Sequence, residues 1–225
     1  MVMDNLAFAV DAGNSRSYPG SGTTWYDLSS NRYAGTMTAG LTYSSNNGGY
    51  INFPGGHYVR FTGLSGTVMS VPESFTGMTV TLWFYPTSSG ASQYVVSSVS
   101  GSGSKGFDII LQDSGNNDYL RVSSSAATWL NTNTFETLNT WQQLTLVWDK
   151  STLFTYKNGS IINVQSSTTA GFTTAPTELC LGTLPNMLGS YTYTGRIASL
   201  FIHSRPMNAT EVAQNFNALR GRFGI

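Results

Sequence analysis

Apolar residues recur at every second position along most of this chain, in short runs broken by Gly, Ser, Asn and Pro. That period belongs to β-strands, whose side chains point alternately to opposite faces. Leu6 to Val10 predicts a first short strand. The stretch GNSRSYPGSGTTWYDLSSNRYAG then predicts a long loop. A loop of that length must be pinned by its own side chains, and Trp25 and Leu28 are its apolar anchors. Small strands follow in GTMTAG, LTYSS, YINF and HYVRF.

MTVTLWFYP is the clearest strand. It puts Val80, Leu82 and Phe84 on one face and Thr79, Thr81, Trp83 and Tyr85 on the other. Bulk on both faces predicts a central strand, and Pro86 ends its ladder because it has no N–H to donate. QYVVSSV, GFDIILQD, DYLRVSSS, WQQLTLVWD, ELCLG and GRIASLFIH continue the pattern. Asn158-Gly159, between two apolar runs, tolerates the positive φ of a type I′ turn and predicts a hairpin. About a dozen strands with closely spaced turn signals and no linker predict one all-β domain over residues 1–225.

The period changes only at the end. Asn208 is a good N-cap, and Glu211 three residues later completes a capping-box spacing. Val212, Ala213, Phe216 and Leu219 recur at helical spacing, and Gly221 is placed for the C′ position. A helix of about three turns, over residues 209–219, is unstable alone. Its apolar stripe must dock on the β-body near the two chain ends, with the first strand beside GRIASLFIH. Exchange of the helix with a partner subunit is the minority alternative. The Arg220–Arg222 tail is expected to stay free to touch a neighbour.

Composition narrows the function classes. Charged residues make up 10% of the 225 residues, against about 25% in ordinary soluble domains. Surface polarity therefore comes from Ser, Thr, Asn, Gln and Gly. Eleven basic and eleven acidic residues cancel, so no long-range attraction to nucleic acid or anionic lipid is expected. Cys180 is alone, which excludes an intrachain disulfide, and the alternation of ELCLG predicts it as a small buried hydrophobe. MVMDNLAFAVDAGN lacks the basic region of a signal peptide. No apolar run approaches the ~20 residues of a membrane span. Synthesis in the cytoplasm without membrane insertion is the expectation.

Chemistry is sparse. Retaining glycosidases need paired carboxylates roughly 5 Å apart, and no E-x-D pair exists to supply them. Asp113-Ser114-Gly115-Asn116-Asn117-Asp118 concentrates oxygen ligands, and Asp113, Asn116 and Asp118 offer a weak calcium site. The favoured alternative is a polar hairpin whose side chains satisfy turn backbone. His203 follows the apolar SLFI and reads as a rim or core histidine. Trp129, Tyr191 and Tyr193 are candidate loop aromatics, although the alternation around Trp129 also fits a core position. An exposed ring stacks on the apolar face of a sugar, while amides and carboxylates such as Asp113, Asn116, Asn117 and Asp118 take its hydroxyls.

The segment WYDLSSNRYAGTMTAGLTYSSNNGGYINFPGGHYVRF resembles the opening of laminin-G-like jelly rolls of the concanavalin A-like lectin/glucanase superfamily. These often begin W-x-D-L-S-x-N, then G-T-L, then a Gly-bearing strand pair. MTVTLWFYP, WQQLTLVWDKSTLFTYKNGSI and GRIASLFIHSRPMNATEVAQNFNALRGRFG resemble the later blocks in order, so the resemblance spans about Leu6 to Gly224. It implies a two-sheet antiparallel jelly-roll sandwich with one short C-terminal helix. Two departures speak against a family-type calcium site: residues 53–58 hold no carboxylate, and Ala198 stands where the family often has an acid. MNATEVAQNFNALRGRFG resembles the end of such modules in structural proteins of tailed bacteriophages. That implies a non-enzymatic virion surface protein (a fibre, spike-like or capsid decoration module) assembled with other virion proteins or its own copies. Lectin-like binding of a host-surface glycan is the first expectation. A purely structural decoration is the second, and a glycan hydrolase a distant third.

Overall fold

The computed structural model describes residues 1–64, 77–88, 92–99, 106–111, 119–123, 127–131, 136–166 and 177–225, with backbone alone for 119–123 and 127–131. In chain order the strands are β1 (Leu6–Asp11), β2 (Thr24–Tyr26), β3 (Ala34–Met37), β4 (Thr42–Ser44), β5 (Tyr50–Pro54), β6 (Val59–Thr62), β7 (Met78–Pro86) and β8 (Gln93–Ser97). They continue with β9 (Gly106–Leu111), β10 (Tyr119–Ser123), β11 (Ala127–Asn131), β12 (Gln142–Trp148), β13 (Thr152–Lys157), β14 (Ser160–Ser166), β15 (Glu178–Leu181) and β16 (Thr194–His203). Among the described residues one α-helix, α1 (Ala209–Phe223), follows β16.

The strands form two antiparallel sheets, as the jelly-roll resemblance implies. The first runs β14-β13-β12-β7-β16-β5-β4, with β1 also on β16, and the second runs β11-β10-β9-β8-β15-β6-β3-β2. β16 holds two neighbours on one side by using its length: residues 194–197 pair with β5 and residues 199–203 with β1. A register shift between Ile197 and Ser199 breaks the alternation there. The extra residue lets Ile197, Leu200 and Ile202 all join the core. Between the sheets, Val80, Leu82 and Phe84 meet Phe61, Phe107, Ile109, Leu179 and Leu181. Asn158 and Gly159 take φ of 51° and 75°, the primed turn that the dipeptide predicts between β13 and β14.

The bulk on the other face of β7 is explained by α1. Trp83, Tyr50, Trp141, Ala198 and Phe223 form a second apolar cluster, with Tyr85, Phe216 and Leu219 packed against it. Val147, Tyr156, Met207 and Val212 form a third beside it. The helix thus covers the outer face of the first sheet, which is why that sheet is apolar on both sides. Asn208 Oδ1 accepts from Glu211 N at 3.0 Å, and Glu211 Oε2 accepts from Asn208 N at 2.9 Å, so the capping box is closed. The chain's start is tied in here: Val2 N donates to Asn215 Oδ1 at 2.7 Å, and His203 Nε2 donates to the Val2 carbonyl at 3.2 Å.

Two expectations about the tail are corrected. The helix does not stop near Leu219, and Gly221 is inside it; Gly224, at φ 73°, makes the left-handed cap. The added turn is held by packing, because it delivers Phe223 to Trp83. Nor is Arg222 free. Its guanidinium donates to Asp11 Oδ1 at 2.7 Å, to the Asn47 carbonyl at 2.8 Å and to the Gly49 carbonyl at 2.5 Å. Gly48, at φ 69°, leaves room for that side chain, since a Cβ there would lie 2.8 Å from Arg222 Nε. Arg220 lies over the Phe216 ring at 5.9 Å. Among the described residues no helix is long and apolar enough to cross a membrane.

Candidate functional site

Residues 12–33, the long loop from β1 in the first sheet to β3 in the second, build a pronounced hollow. Its folding follows from a few side chains. Trp25 is fully buried and fixes β2 against the core. Ser17, also fully buried, grips Tyr26 twice. Its carbonyl accepts from Tyr26 N at 2.8 Å, and its hydroxyl donates to the Tyr26 carbonyl at 2.6 Å.

Asp27 is the loop's hub. Its Oδ1 accepts from Ala9 N at 2.8 Å and Ser29 N at 2.9 Å; its Oδ2 accepts from Ser29 Oγ at 2.6 Å and Tyr33 N at 3.4 Å. Leu28 N donates to the Ala9 carbonyl at 2.7 Å, and Asn31 Nδ2 to the Ala7 carbonyl at 2.9 Å. The W-x-D-L-S-x-N residues therefore serve the backbone. They saturate the outward edge of β1, which would otherwise be an unpaired template for another strand.

What the motif leaves over faces out. A hollow of about 560 Å³ is lined by Arg16, Tyr26, Asp27, Leu28, Ser29 and Arg32. Tyr26 is 45% exposed, and Arg16 and Arg32 are exposed. Backbone bonds hold these side chains' bases in place. Arg16 N donates to Asn14 Oδ1 at 3.0 Å, and Arg32 sits at φ 56°, an uncommon conformation for a residue with a Cβ. The arrangement offers a ring face, two guanidiniums and a hydroxyl, which suits recognition by stacking and hydrogen bonding. The sequence signalled only that this loop is long and must be pinned by its own side chains.

Among the described residues proposed from sequence, Tyr191 and Tyr193 do not share a surface. Tyr191 is 51% exposed, its ring T-shaped to Tyr94 at 6.1 Å. Tyr193, however, is fully buried in the core, where it lies 6.0 Å from Phe53 and donates to the Arg196 carbonyl at 3.3 Å. Burial raises its phenol pKa well above the ordinary value, and it has no surface to offer a ligand, which corrects its place as a candidate. Trp129 lies on β11 opposite Arg121 of β10. β11 is three strands from Tyr94 on β8, about 14 Å at ordinary strand spacing. Asp113, Asn116, Asn117 and Asp118, with the calcium site suggested for them, lie outside the described residues.

Other chemistry is already occupied. Among the described residues no three His, Cys, Asp or Glu side chains group as a metal site would require. The buried Asp108 accepts from Ser97 Oγ at 2.5 Å, and among the described residues the other buried carboxylate is Asp27. Burial pushes the Cys180 thiol up to about 12, so it is protonated at neutral pH. Ala198, at the family's acidic position, is fully buried in the Trp83–Phe223 cluster, where a carboxylate would be stranded under the helix.

Solved structures share this architecture. The binding domain of botulinum neurotoxin serotype G superposes with a TM-score of 0.73 at 13% identity, over 95% of this chain and 51% of that one. The binding domain of botulinum neurotoxin DC, in complex with SialylT, gives 0.73 at 12%, over 96% and 52%. The binding domain of Paraclostridial Mosquitocidal Protein 1 gives 0.70 at 19%, over 95% and 52%. At these identities the likeness establishes the fold alone, and the present chain spans about half the length of the chains it matches. No curated protein matches. A laminin-G-type family model, described as the concanavalin A-like lectin/glucanases superfamily, matches residues 54–213, which begin after the loop that forms the hollow. The ordered sequence blocks, the two-sheet sandwich and this match agree: the chain belongs to the concanavalin A-like lectin/glucanase superfamily.

Proposed function

We propose that this chain is a lectin-like recognition module without catalytic activity, and that it holds a host-surface glycan in the hollow between Arg16, Tyr26 and Arg32. The observation that carries this reading is the hollow itself. It presents a half-exposed tyrosine ring beside polar donors, on a loop whose backbone is locked by Ser17 and Asp27. A site fixed before binding loses little conformational entropy on occupation. The similar binding domains support the reading through their names, since one was solved with SialylT and another concerns entry dependent on two ganglioside molecules. The occupied carboxylates Asp27 and Asp108 support a role in binding rather than hydrolysis.

The setting proposed is a virion surface, on the resemblance of MNATEVAQNFNALRGRFG to the ends of phage structural modules. Weak single sites would there be multiplied by copy number. A second reading, a decoration that contacts other virion proteins, is favoured by one feature: Ile161, Ile162 and Val164 are exposed on β14, the last strand of the first sheet among those described. A glycan array probed with the multimerised chain tests the first reading. A saturable hit lost in Tyr26→Ala supports it. A hit kept in Tyr26→Ala but lost in Tyr191→Ala moves the site to the Tyr94–Tyr191 rim. A blank array favours the decoration.

A further inference from the structure

Most of the arginines whose side chains are described are committed. Arg60 makes two hydrogen bonds to Glu178, at 3.1 and 2.6 Å. Arg205 reaches Asp4 and Glu211, and Arg222 reaches Asp11. Arg196 lies 4.4 Å over the Tyr85 ring and Arg220 lies over Phe216. Among arginines whose side chains are described, Arg16 and Arg32 have no ion pair, side-chain hydrogen bond or ring contact, and these two line the same hollow.

The hollow's acid does not cancel them. Asp27 is 4% exposed and each of its oxygens already accepts two hydrogen bonds, so it has little left for a cation. Two guanidiniums against one carboxylate leave the lining net positive in a chain whose formal charge is zero. Arg32 is also held at φ 56°. Most other non-glycine residues at positive φ in the described chain are asparagines, which tolerate it better.

We propose, building on the glycan-binding reading, that the hollow selects acidic saccharides, those bearing a carboxylate or a sulfate ester. Arg16 and Arg32 take the anionic group through the planar fork that suits such oxyanions, and Tyr26 stacks on the ring that carries it. With no net charge on the whole chain, the selection acts at contact range rather than by long-range steering.

The test is calorimetric titration of the full chain with three sugars on one core: 3′-sialyllactose for the carboxylate, 3′-sulfolactose for the sulfate ester, and lactose as the neutral reference. Inorganic sulfate is the fourth arm. The expected result is at least about tenfold tighter binding of one acidic sugar than of lactose, weakening as salt is raised. The double variant Arg16→Gln/Arg32→Gln should bind that acidic sugar no better than lactose, with an unchanged melting temperature. Tyr26→Ala should weaken acidic and neutral sugars together. Which acidic sugar binds identifies the anion. Equal binding of lactose, an unaffected double variant, or inorganic sulfate binding as tightly as the sugars would overturn the acidic selection while leaving a glycan module in place. No binding of any glycan, here and on an array, would remove both readings.

Discussion

The ring of Phe223 lies 4.2 Å from that of Trp83, with the two planes 19° apart. Phe216 stacks on the same indole at 5.8 Å and 11°, and Trp141 closes on Phe223 at 4.7 Å. This stack gives the helix its role: the central strand β7 carries the Trp83 indole on the outer face of the first sheet, where α1 covers it. Phe223→Ala should therefore cost about 3–5 kcal/mol, the usual range for a buried aromatic truncated to a methyl. A chain cut after Leu219 should lose more, because Arg222 goes as well. Urea unfolding followed by tryptophan emission measures both, and an unshifted midpoint would contradict the packing described.

Asp27 is a scaffold residue beside a site, and its variants should behave so. Asp27→Ala leaves Ala9 N and Ser29 N without their acceptor and should destabilise by about 3 kcal/mol. Arg16→Gln, exposed and unpaired, should stay within about 0.5 kcal/mol. Parallel denaturation curves separate the loop's frame from its outward groups.

Stability should fall with acid along two limbs. Burial lowers the His203 pKa, so the unfolded chain takes up that proton first. This contribution is complete above the unfolded value of about 6.5 and is lost as pH falls below it. Arg205, with the Asn208 N–H, holds the Glu211 carboxyl at about 2. Its contribution is complete above the unfolded value of about 4.3 and disappears as pH falls toward 2. Being near the surface, the pair is worth at most about 1 kcal/mol. Urea midpoints from pH 8 to pH 2 should show both limbs, with Glu211→Gln flattening only the lower and His203→Gln only the upper.

Cys180, fully buried with its thiol pushed up to about 12, should resist iodoacetamide in the folded chain at pH 8. A single adduct should appear once denaturant is added. Rapid labelling of the native chain, read by mass spectrometry, would place the β15 thiol at the surface instead.

Much of this was legible before any coordinates. The two-faced alternation of MTVTLWFYP, the Asn158-Gly159 turn, the Asn208–Glu211 box and the pairing of the first strand with GRIASLFIH are local patterns whose physics carries through. Other readings failed for identifiable reasons. Gly221 could end a helix, but tertiary packing of Phe223 outweighed its poor propensity. Tyr191 and Tyr193 stand two apart and would share a face in a strand. The positive φ of Tyr191 turns the chain, so Tyr193 enters the core while Tyr191 stays outside. The Arg16–Tyr26–Arg32 hollow had no signature, because its parts meet only through the long-range grips of Ser17 and Asp27.

The pairing of β1 with β16 has a mechanical consequence. Leu6, where β1 begins, faces His203, where β16 ends, so the chain enters and leaves that ladder at the same end. Tension between the termini would load its rungs one after another, as in a zipper, rather than all at once in shear. The Trp83 stack and the Arg222 clasp stand ahead of the first rung on the C-terminal side. A pulling force must release them before the sheet begins to part, which makes the small terminal helix the latch of the whole module.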